Sequence, residues 1–153
     1  MPKTLEECTF RNIIPLTPNI EGKEVMAIKI YDGDTIWIAY EEREGEFYKI
    51  NCRLMGLDTA ELKSKNLVEK QAAKCARDHL IGLIDGERLF VKLEPKSDKY
   101  GRWLGTFTRV SDGLDVNQAM LDTWALPYDG GTKEHEFNWA DMLAKNGVSP
   151  CQE

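Results

Sequence analysis

The order of elements in this 153-residue sequence predicts an α+β fold, a five-stranded Greek-key β-barrel of the OB type with about three helices. Two observations predict it. Three short strand patterns come first, and a helical pattern over residues 66–84 separates them from two later strands. We expect residues 1–23 to form an N-terminal arm and residues 24–153 to form a single domain.

Alternation and turn residues mark the first three strands. Residues 25–31 and 35–40 flank an Asp-Gly turn, which is a strong signal for a β-hairpin. A polar turn over 41–46 leads to a third strand over 47–55. The alternation in that strand places Arg53 on the polar face, and it places Tyr48, Ile50, Cys52 and Leu54 together on the apolar face.

The second half of the chain alternates between helical and extended patterns. Residues 66–84 carry apolar side chains at helical spacing, with basic residues on the opposite face. We then expect strands over 88–94 and 102–110, with a loop over 95–101 between them. The remaining expected elements are a short helix over 114–126, a loop over 127–133 and a last helix over 135–147 that ends at Gly147.

Composition limits the class of protein. No apolar run approaches the roughly 20 residues that a membrane-spanning helix needs, and the acidic N-terminus does not look like an export signal. We therefore expect an intracellular protein with no membrane partner. The four cysteines form no CxxC pair, so we expect free thiols, with a bridge between Cys8 and Cys151 as the open alternative.

The distribution of charge leaves two interpretations open. The net charge of −6 argues against a generic basic nucleic-acid binder. Residues 61–109, however, carry 11 basic and 7 acidic side chains and lie between two acidic flanks. This middle segment is either a solvated charged helix or a local site for a polyanion. The acidic residues 110–153 also allow an interaction protein that binds basic partners.

Carboxylates and arginines are the chemical groups that remain once standard motifs are excluded. The sequence contains no nucleophile elbow, no phosphate-binding loop, no dinucleotide fingerprint and no His-Glu-x-x-His. Of its two histidines, His79 falls in the middle of a predicted helix, where a structural role is favoured, and His135 has no recognisable partner. Carboxylates and arginines are the groups that phosphate chemistry uses.

Three acids stand out at the ends of predicted strands. Asp34 follows the first hairpin turn, and Asp58 and Glu61 follow the third strand. Ends of adjacent strands can bring Asp34 and Asp58 close, and two close carboxylates repel unless a cation lies between them. Oxygen ligands of this kind suit Ca²⁺. Each acid also has an ordinary alternative, since Asp-Gly-Asp is common in turns and Asp58-x-x-Glu61 has the spacing of a helix capping box.

Two arginines could face the same place. Arg53 lies on the polar face of the third strand, and Arg102 follows a predicted turn. Fixed guanidinium groups match the charge that develops on a phosphodiester under attack by water. The alternative for each arginine is a surface ion pair.

Four blocks of the sequence, YDGDT, RLMGLDTAE, SDKYGR and VNQAML, resemble the staphylococcal nuclease (thermonuclease) family in order and approximate spacing. The resemblance runs from about residue 25 to 128. It implies a calcium-dependent, sugar-nonspecific endonuclease that hydrolyses phosphodiester bonds of DNA and RNA, preferably single-stranded or unpaired, to 3′-phosphate products. Ala60 stands where the family usually has proline. The alternative is a non-catalytic OB-fold module that binds nucleic acid or protein tails.

The resemblance also implies a metal site and a base. It assigns one Ca²⁺ ion to the carboxylates of Asp34 and Asp58 and to the main-chain carbonyl of Thr59. It assigns Glu61 as the general base, or as the group that orders the attacking water.

The same resemblance implies the groups that hold the substrate. Arg53 is expected to contact the scissile phosphate and stabilise the transition state, and Arg102 to hold the phosphate and assist the leaving oxygen. Lys99 and Tyr100 resemble the pair that grips the neighbouring nucleotide phosphate, and Tyr128 is similar to a tyrosine that stacks on a base.

Overall fold

The structure is a computed structural model, which describes residues 2–12, 16–129 and 137–151. In chain order its regular elements after a short 3₁₀ helix (Leu5–Glu7) are β1 (Glu24–Ile30), β2 (Thr35–Arg43), β3 (Glu46–Leu54), β4 (Leu57–Asp58), α1 (Leu67–Ile84), β5 (Leu89–Ser97), β6 (Trp103–Arg109), α2 (Val116–Leu121), β7 (Leu126–Pro127) and α3 (Trp139–Lys145).

Five of the strands form a closed barrel in the order β1-β2-β3-β6-β5, with β5 pairing back onto β1. Only the pairing of β3 with β6 is parallel within this barrel. Because α1 follows the third barrel strand, the fold is the predicted α+β barrel of the OB type. The parallel pair places Trp103 opposite Cys52, so the start of β6 lies beside the end of β3.

The barrel interior follows the alternation of the sequence. Ile36 and Ile38 of β2 and Cys52 and Leu54 of β3 are all fully buried, as a period of two requires. Helix α1 packs against this core with a face made of three alanines followed by Leu80 and Ile84. Tyr48 shares the face of Cys52 in the sequence pattern, but it is exposed because it lies at the far end of the long β2–β3 hairpin.

A buried asparagine joins α2 to the barrel. Asn117, in the VNQAML block, accepts a hydrogen bond from the Phe107 N–H at 3.0 Å. Its amide nitrogen donates to the carbonyl oxygens of Met55 and Gly105, both at 3.0 Å. The side chain thereby links α2, β6 and the turn that leads from β3 to Asp58.

Several predicted bounds need correction. The β2–β3 turn is tighter than the predicted 41–46, since β2 continues to Arg43 and Gly45 turns the chain with a positive φ of 78°. Strand β5 runs through Pro95 to Ser97, into the predicted loop, with an irregular register between Leu93 and Ser97. Helix α2 is shorter than 114–126, and the two-residue strands β4 and β7 were not predicted.

The helix ends correct two further expectations. Asn66, and not Asp58, caps α1, because its side chain accepts the Glu69 N–H at 3.1 Å. The alternative of a capping box at Asp58 and Glu61 is therefore wrong. Helix α3 begins at Trp139, and the expected start at His135 and most of the expected loop over 127–133 lie outside the described residues.

The structure also bears on the cysteines and on membrane spanning. All four cysteines are free, with Cys8 and Cys151 exposed and Cys52 buried, so the alternative of a bridge between the two ends is not adopted. Within the described ranges, no helix combines the length and the apolar character that crossing a bilayer requires.

Candidate active site

Asp34 and Asp58 lie close together, as the positions of their strands predict. The Thr59 N–H points at both carboxylates, 3.3 Å from Oδ2 of Asp34 and 3.1 Å from Oδ1 of Asp58. Nη2 of Arg53 lies 3.7 Å and 3.2 Å from the same two oxygens. Two carboxylates that share two donors in this way form one negatively charged cluster.

Local turn chemistry fixes the position of Asp34. Oδ1 of Asp32 accepts the N–H groups of Asp34 and Thr35 at 3.0 Å and 2.8 Å, which closes the turn after β1. A side chain at Gly33 would place its Cβ 2.8 Å from Cβ of Ala76 and 2.9 Å from Cγ2 of Thr59. The glycine of DGDT is therefore needed because α1 and the Thr59 segment pack directly against this turn.

Burial makes the Asp34 carboxylate electrostatically costly. The residue is 5% exposed. Burial raises the pKa of Asp34, the neighbouring charge of Asp32 raises it further, and Arg53 opposes both. A cation close to this carboxylate would offset that cost, and carboxylate and carbonyl oxygens are the donors that Ca²⁺ prefers. Among the described residues, however, no group of three or more His, Cys, Asp or Glu side chains is placed to hold a metal.

Arg53 is locked in a charged form. Its side chain is 15% exposed, and Nη2 also donates to the carbonyl of Leu57 at 3.2 Å. Burial by itself lowers the pKa of Arg53, but the charges of Asp34 and Asp58 outweigh it, so the pKa ends above its ordinary value. The guanidinium lies 5.3 Å from the centre of the Tyr128 ring. Tyr128 thus contacts Arg53 directly.

Arg102 is held by the loop that precedes β6. Its Nε donates to Oδ2 of Asp98 at 2.9 Å, and its Nη1 reaches Oγ1 of Thr35 at 3.5 Å. Oδ1 of Asp98 accepts the N–H groups of Tyr100 and Arg102. Burial raises the pKa of Asp98, but these N–H bonds and the charge of Arg102 outweigh it and leave the pKa lowered. Both arginines form ion pairs, as the alternative interpretation expects, but their side chains are largely buried and do not lie on the open surface.

One cavity of about 320 Å³ brings the predicted groups together. Asp34, Arg53, Glu61 and Arg102 all line it. Asp58 and Thr59 lie behind this lining, where they contact Asp34 and Arg53. The remaining lining residues, which sequence reasoning missed, are Tyr31, Asp32, Thr35, Trp37 and Asn51.

The predicted substrate-binding pair lies outside the lining of that cavity. Tyr100 is 70% exposed, and its ring centre is 5.1 Å from Nζ of Lys99 and 5.4 Å from Cζ of Arg102. The three side chains form a small cationic and aromatic cluster, which Arg102 joins to the cavity.

Two larger cavities contain fewer converging charges. A groove of about 690 Å³ runs between residues 17–21 and β5, and a space of about 460 Å³ lies beside β1 and β2. We place the candidate site in the smaller cavity because only there, among the described cavities, do two arginines face several acids. A scan against models of protein families finds none that matches the chain, and a search of curated proteins finds no significant relative.

Proposed function

We propose that the protein is a calcium-dependent, sugar-nonspecific endonuclease of the staphylococcal nuclease type, acting on DNA and RNA. One observation carries the proposal. Asp34, Arg53, Glu61 and Arg102, which the resemblance of four sequence blocks singles out, line the same cavity. An acid that can take a proton and two fixed guanidinium groups are the components that phosphodiester hydrolysis requires.

The two arginines would hold the scissile phosphate across the cavity. Within the described part of the chain, the hydrogen bonds of Arg53 come from Nη2 alone, so its Nε and Nη1 groups can donate to phosphate oxygens. Asp98 fixes Arg102 through Nε and leaves the far edge of the guanidinium facing Thr35 and the cavity. Donors fixed in this way stabilise the negative charge that grows on the phosphate without having to reorganise.

Glu61 would take the proton of the attacking water. It is exposed and lines the cavity, where the attacking water would lie between its carboxylate and the phosphate. As the oxygen of water bonds to phosphorus, the bond to the 5′-oxygen breaks and that oxygen takes up a proton. The products are a 3′-phosphate and a 5′-hydroxyl end.

The acidic cluster would hold the cation. The carboxylates of Asp34 and Asp58 and the carbonyl of Thr59 are the groups that would bind Ca²⁺, with water completing its shell. Bound Ca²⁺ would supply neutralisation of charge on the phosphate and a fixed line of approach for the nucleophile. The buried and costly charge of Asp34 supports this assignment.

The test compares cleavage of single-stranded DNA and RNA oligonucleotides with calcium and with a chelator. Glu61→Gln should lower kcat at least about a hundredfold, since it removes the base. Glu46→Gln, at an exposed acid at the start of β3, is the matched control and should leave kcat unchanged. Cleavage that continues in chelator, or that is equal in Glu61→Gln, contradicts the mechanism.

A second candidate is a barrel that binds nucleic acid without cutting it. The observation that favours it is the lack, in the described ranges, of three acid, histidine or cysteine side chains placed for a metal. Arg53 already pairs with both aspartates and could serve a purely structural role. Measurable affinity for an oligonucleotide with no cleavage at any calcium concentration would favour this candidate over the enzyme.

A further inference from the structure

The outer face of the β2–β3 pair continues from the cavity as a row of side chains. Thr35 pairs with Arg53, and Trp37 pairs with Asn51 one step further along the strands. Alternation places these side chains on the same side of the sheet, away from buried Ile36 and Ile38. Two residues of strand advance about 7 Å, a step comparable to one nucleotide unit.

Trp37 forms the aromatic wall of this row. It lines the cavity together with Arg53 and Arg102, and it is only partly buried. The described hydrogen bonds and ion pairs include none from its side chain to the barrel, and its described ring contact is with Lys49, whose Nζ lies 5.4 Å from the ring centre. A partly exposed indole in a cavity that also contains two arginines is a platform on which a flat group can stack.

Asn51 and Lys49 give the wall polar partners. Oδ1 of Asn51 is buried and, among the described residues, has no hydrogen-bond partner, although the residue lines the cavity. Lys49 is exposed on the next step, opposite Ala39. Its flexible side chain can leave the face of Trp37 and supply positive charge to a phosphate further along.

We propose that Trp37, with Asn51 and Lys49 beside it, is a subsite that stacks one unpaired nucleobase next to the scissile phosphate. This inference rests on the proposed function and goes beyond it by naming which part of the substrate the β2–β3 face takes. A base inside a duplex presents no free face, so the subsite selects single-stranded or unpaired nucleic acid. Stacking is tolerant of base identity, so the subsite adds little sequence preference.

The test measures binding and cleavage separately. Fluorescence anisotropy gives the Kd of a labelled single-stranded oligonucleotide, in the Glu61→Gln background so that the substrate stays intact. Trp37→Ala should raise this Kd, and the KM of the otherwise unaltered enzyme, by about 5- to 150-fold, the range expected when one stacked base is lost. Trp37→Phe keeps an aromatic face and should recover most of the affinity.

Controls separate the subsite from folding and from the general reaction. Phe47→Ala removes an aromatic side chain that is 69% exposed on β3 outside the cavity, and should leave Kd unchanged. An oligonucleotide with an abasic position beside the cleaved bond should bind wild type and Trp37→Ala equally. Thermal melting checks that each variant is folded.

The outcomes distinguish the two levels of the argument. If wild type cleaves but Trp37→Ala has an unchanged KM and Kd, or loses only kcat, the subsite is refuted and the proposed function stands. If wild type neither binds nor cleaves, the proposed function itself fails, and the subsite fails with it.

Discussion

Replacing Asn117 by alanine should destabilise the protein by about 2–4 kcal/mol. The change removes three hydrogen bonds between α2 and the barrel. The buried Phe107 N–H loses its acceptor, which costs about 1–3 kcal/mol. The Gly105 carbonyl still accepts the Met55 N–H at 2.9 Å. The Met55 carbonyl is only partly buried and can accept a hydrogen bond from water instead. The loss of each of these two bonds therefore adds about 1 kcal/mol or less.

Urea unfolding followed by tryptophan fluorescence is the assay. The midpoint should fall while the slope m stays constant, since the surface exposed on unfolding is unchanged. In thermal melting the same loss lowers Tm by roughly 5–15 °C for a domain of this size. Gln118→Ala is the matched control on α2, because Gln118 is exposed and its side chain bonds only to Asp122 among the described residues.

A second variant tests the direction of the hydrogen bonds. Asn117→Asp keeps an acceptor for the Phe107 N–H but turns a carboxylate oxygen toward the carbonyls of Met55 and Gly105. It should therefore also be destabilised near neutral pH. The reasoning is refuted if Asn117→Ala lies within about 0.5 kcal/mol of Gln118→Ala, the spread of ordinary surface changes.

Three further outcomes follow from burial and packing. Under the proposed function, Asp34→Asn should abolish cleavage, and it should also stabilise the calcium-free protein at pH 7, because burial raises the pKa of Asp34. Because burial disfavours the charged carboxylate, the free energy of unfolding of the wild type should fall as pH rises from the unfolded-state pKa through the raised folded-state pKa. A pH series of urea midpoints in which Asp34→Asn shows the same decline contradicts this reasoning. Native thiol titration should label Cys151 rapidly and Cys52 only after unfolding, since burial raises the pKa of Cys52 to about 12; rapid native labelling of both speaks against the packed barrel. Gly33→Ala should cost about 1–3 kcal/mol by overpacking against Ala76, and an unchanged urea midpoint would show that α1 can shift without cost.

The local spacing of apolar residues predicted most of the barrel, because a half-buried strand repeats its apolar residues every second position and a helix every three to four. The buried face at the end of β3, with Cys52 and Leu54, and the span of α1 follow from such patterns. The predicted strand over 88–94 ends too early. Proline has no N–H to donate to a strand ladder and so signals a strand end, but Pro95 lies in the irregular part of β5. Strands β4 and β7 are two residues long, which is too short to show any period.

The candidate site was predicted in part, and the division has a physical cause. Glu61 and Arg102 could be singled out from the sequence because acids and arginines were the reactive groups that remained once the standard catalytic motifs were excluded. Trp37 and Asn51 were missed because an outward-facing strand residue has no distinguishing pattern of its own. Only the register of β2 on β3, together with closure of the barrel, shows that both lie beside Arg53.

The parallel pairing of β3 with β6 has a consequence for the order of events during folding. Arg53 is the next-to-last residue of β3 and Arg102 immediately precedes β6, and the whole of α1 and β5 lies between them in the chain. The chain must lose the conformational entropy of that long loop before the two guanidinium groups can line the same cavity. Under the proposed function, a nascent chain that has not been synthesised as far as β6 contains Asp34, Asp58 and Glu61 but lacks Arg102. We therefore expect that it does not cleave nucleic acid. The lag before catalysis appears on refolding should therefore report the closing of the barrel.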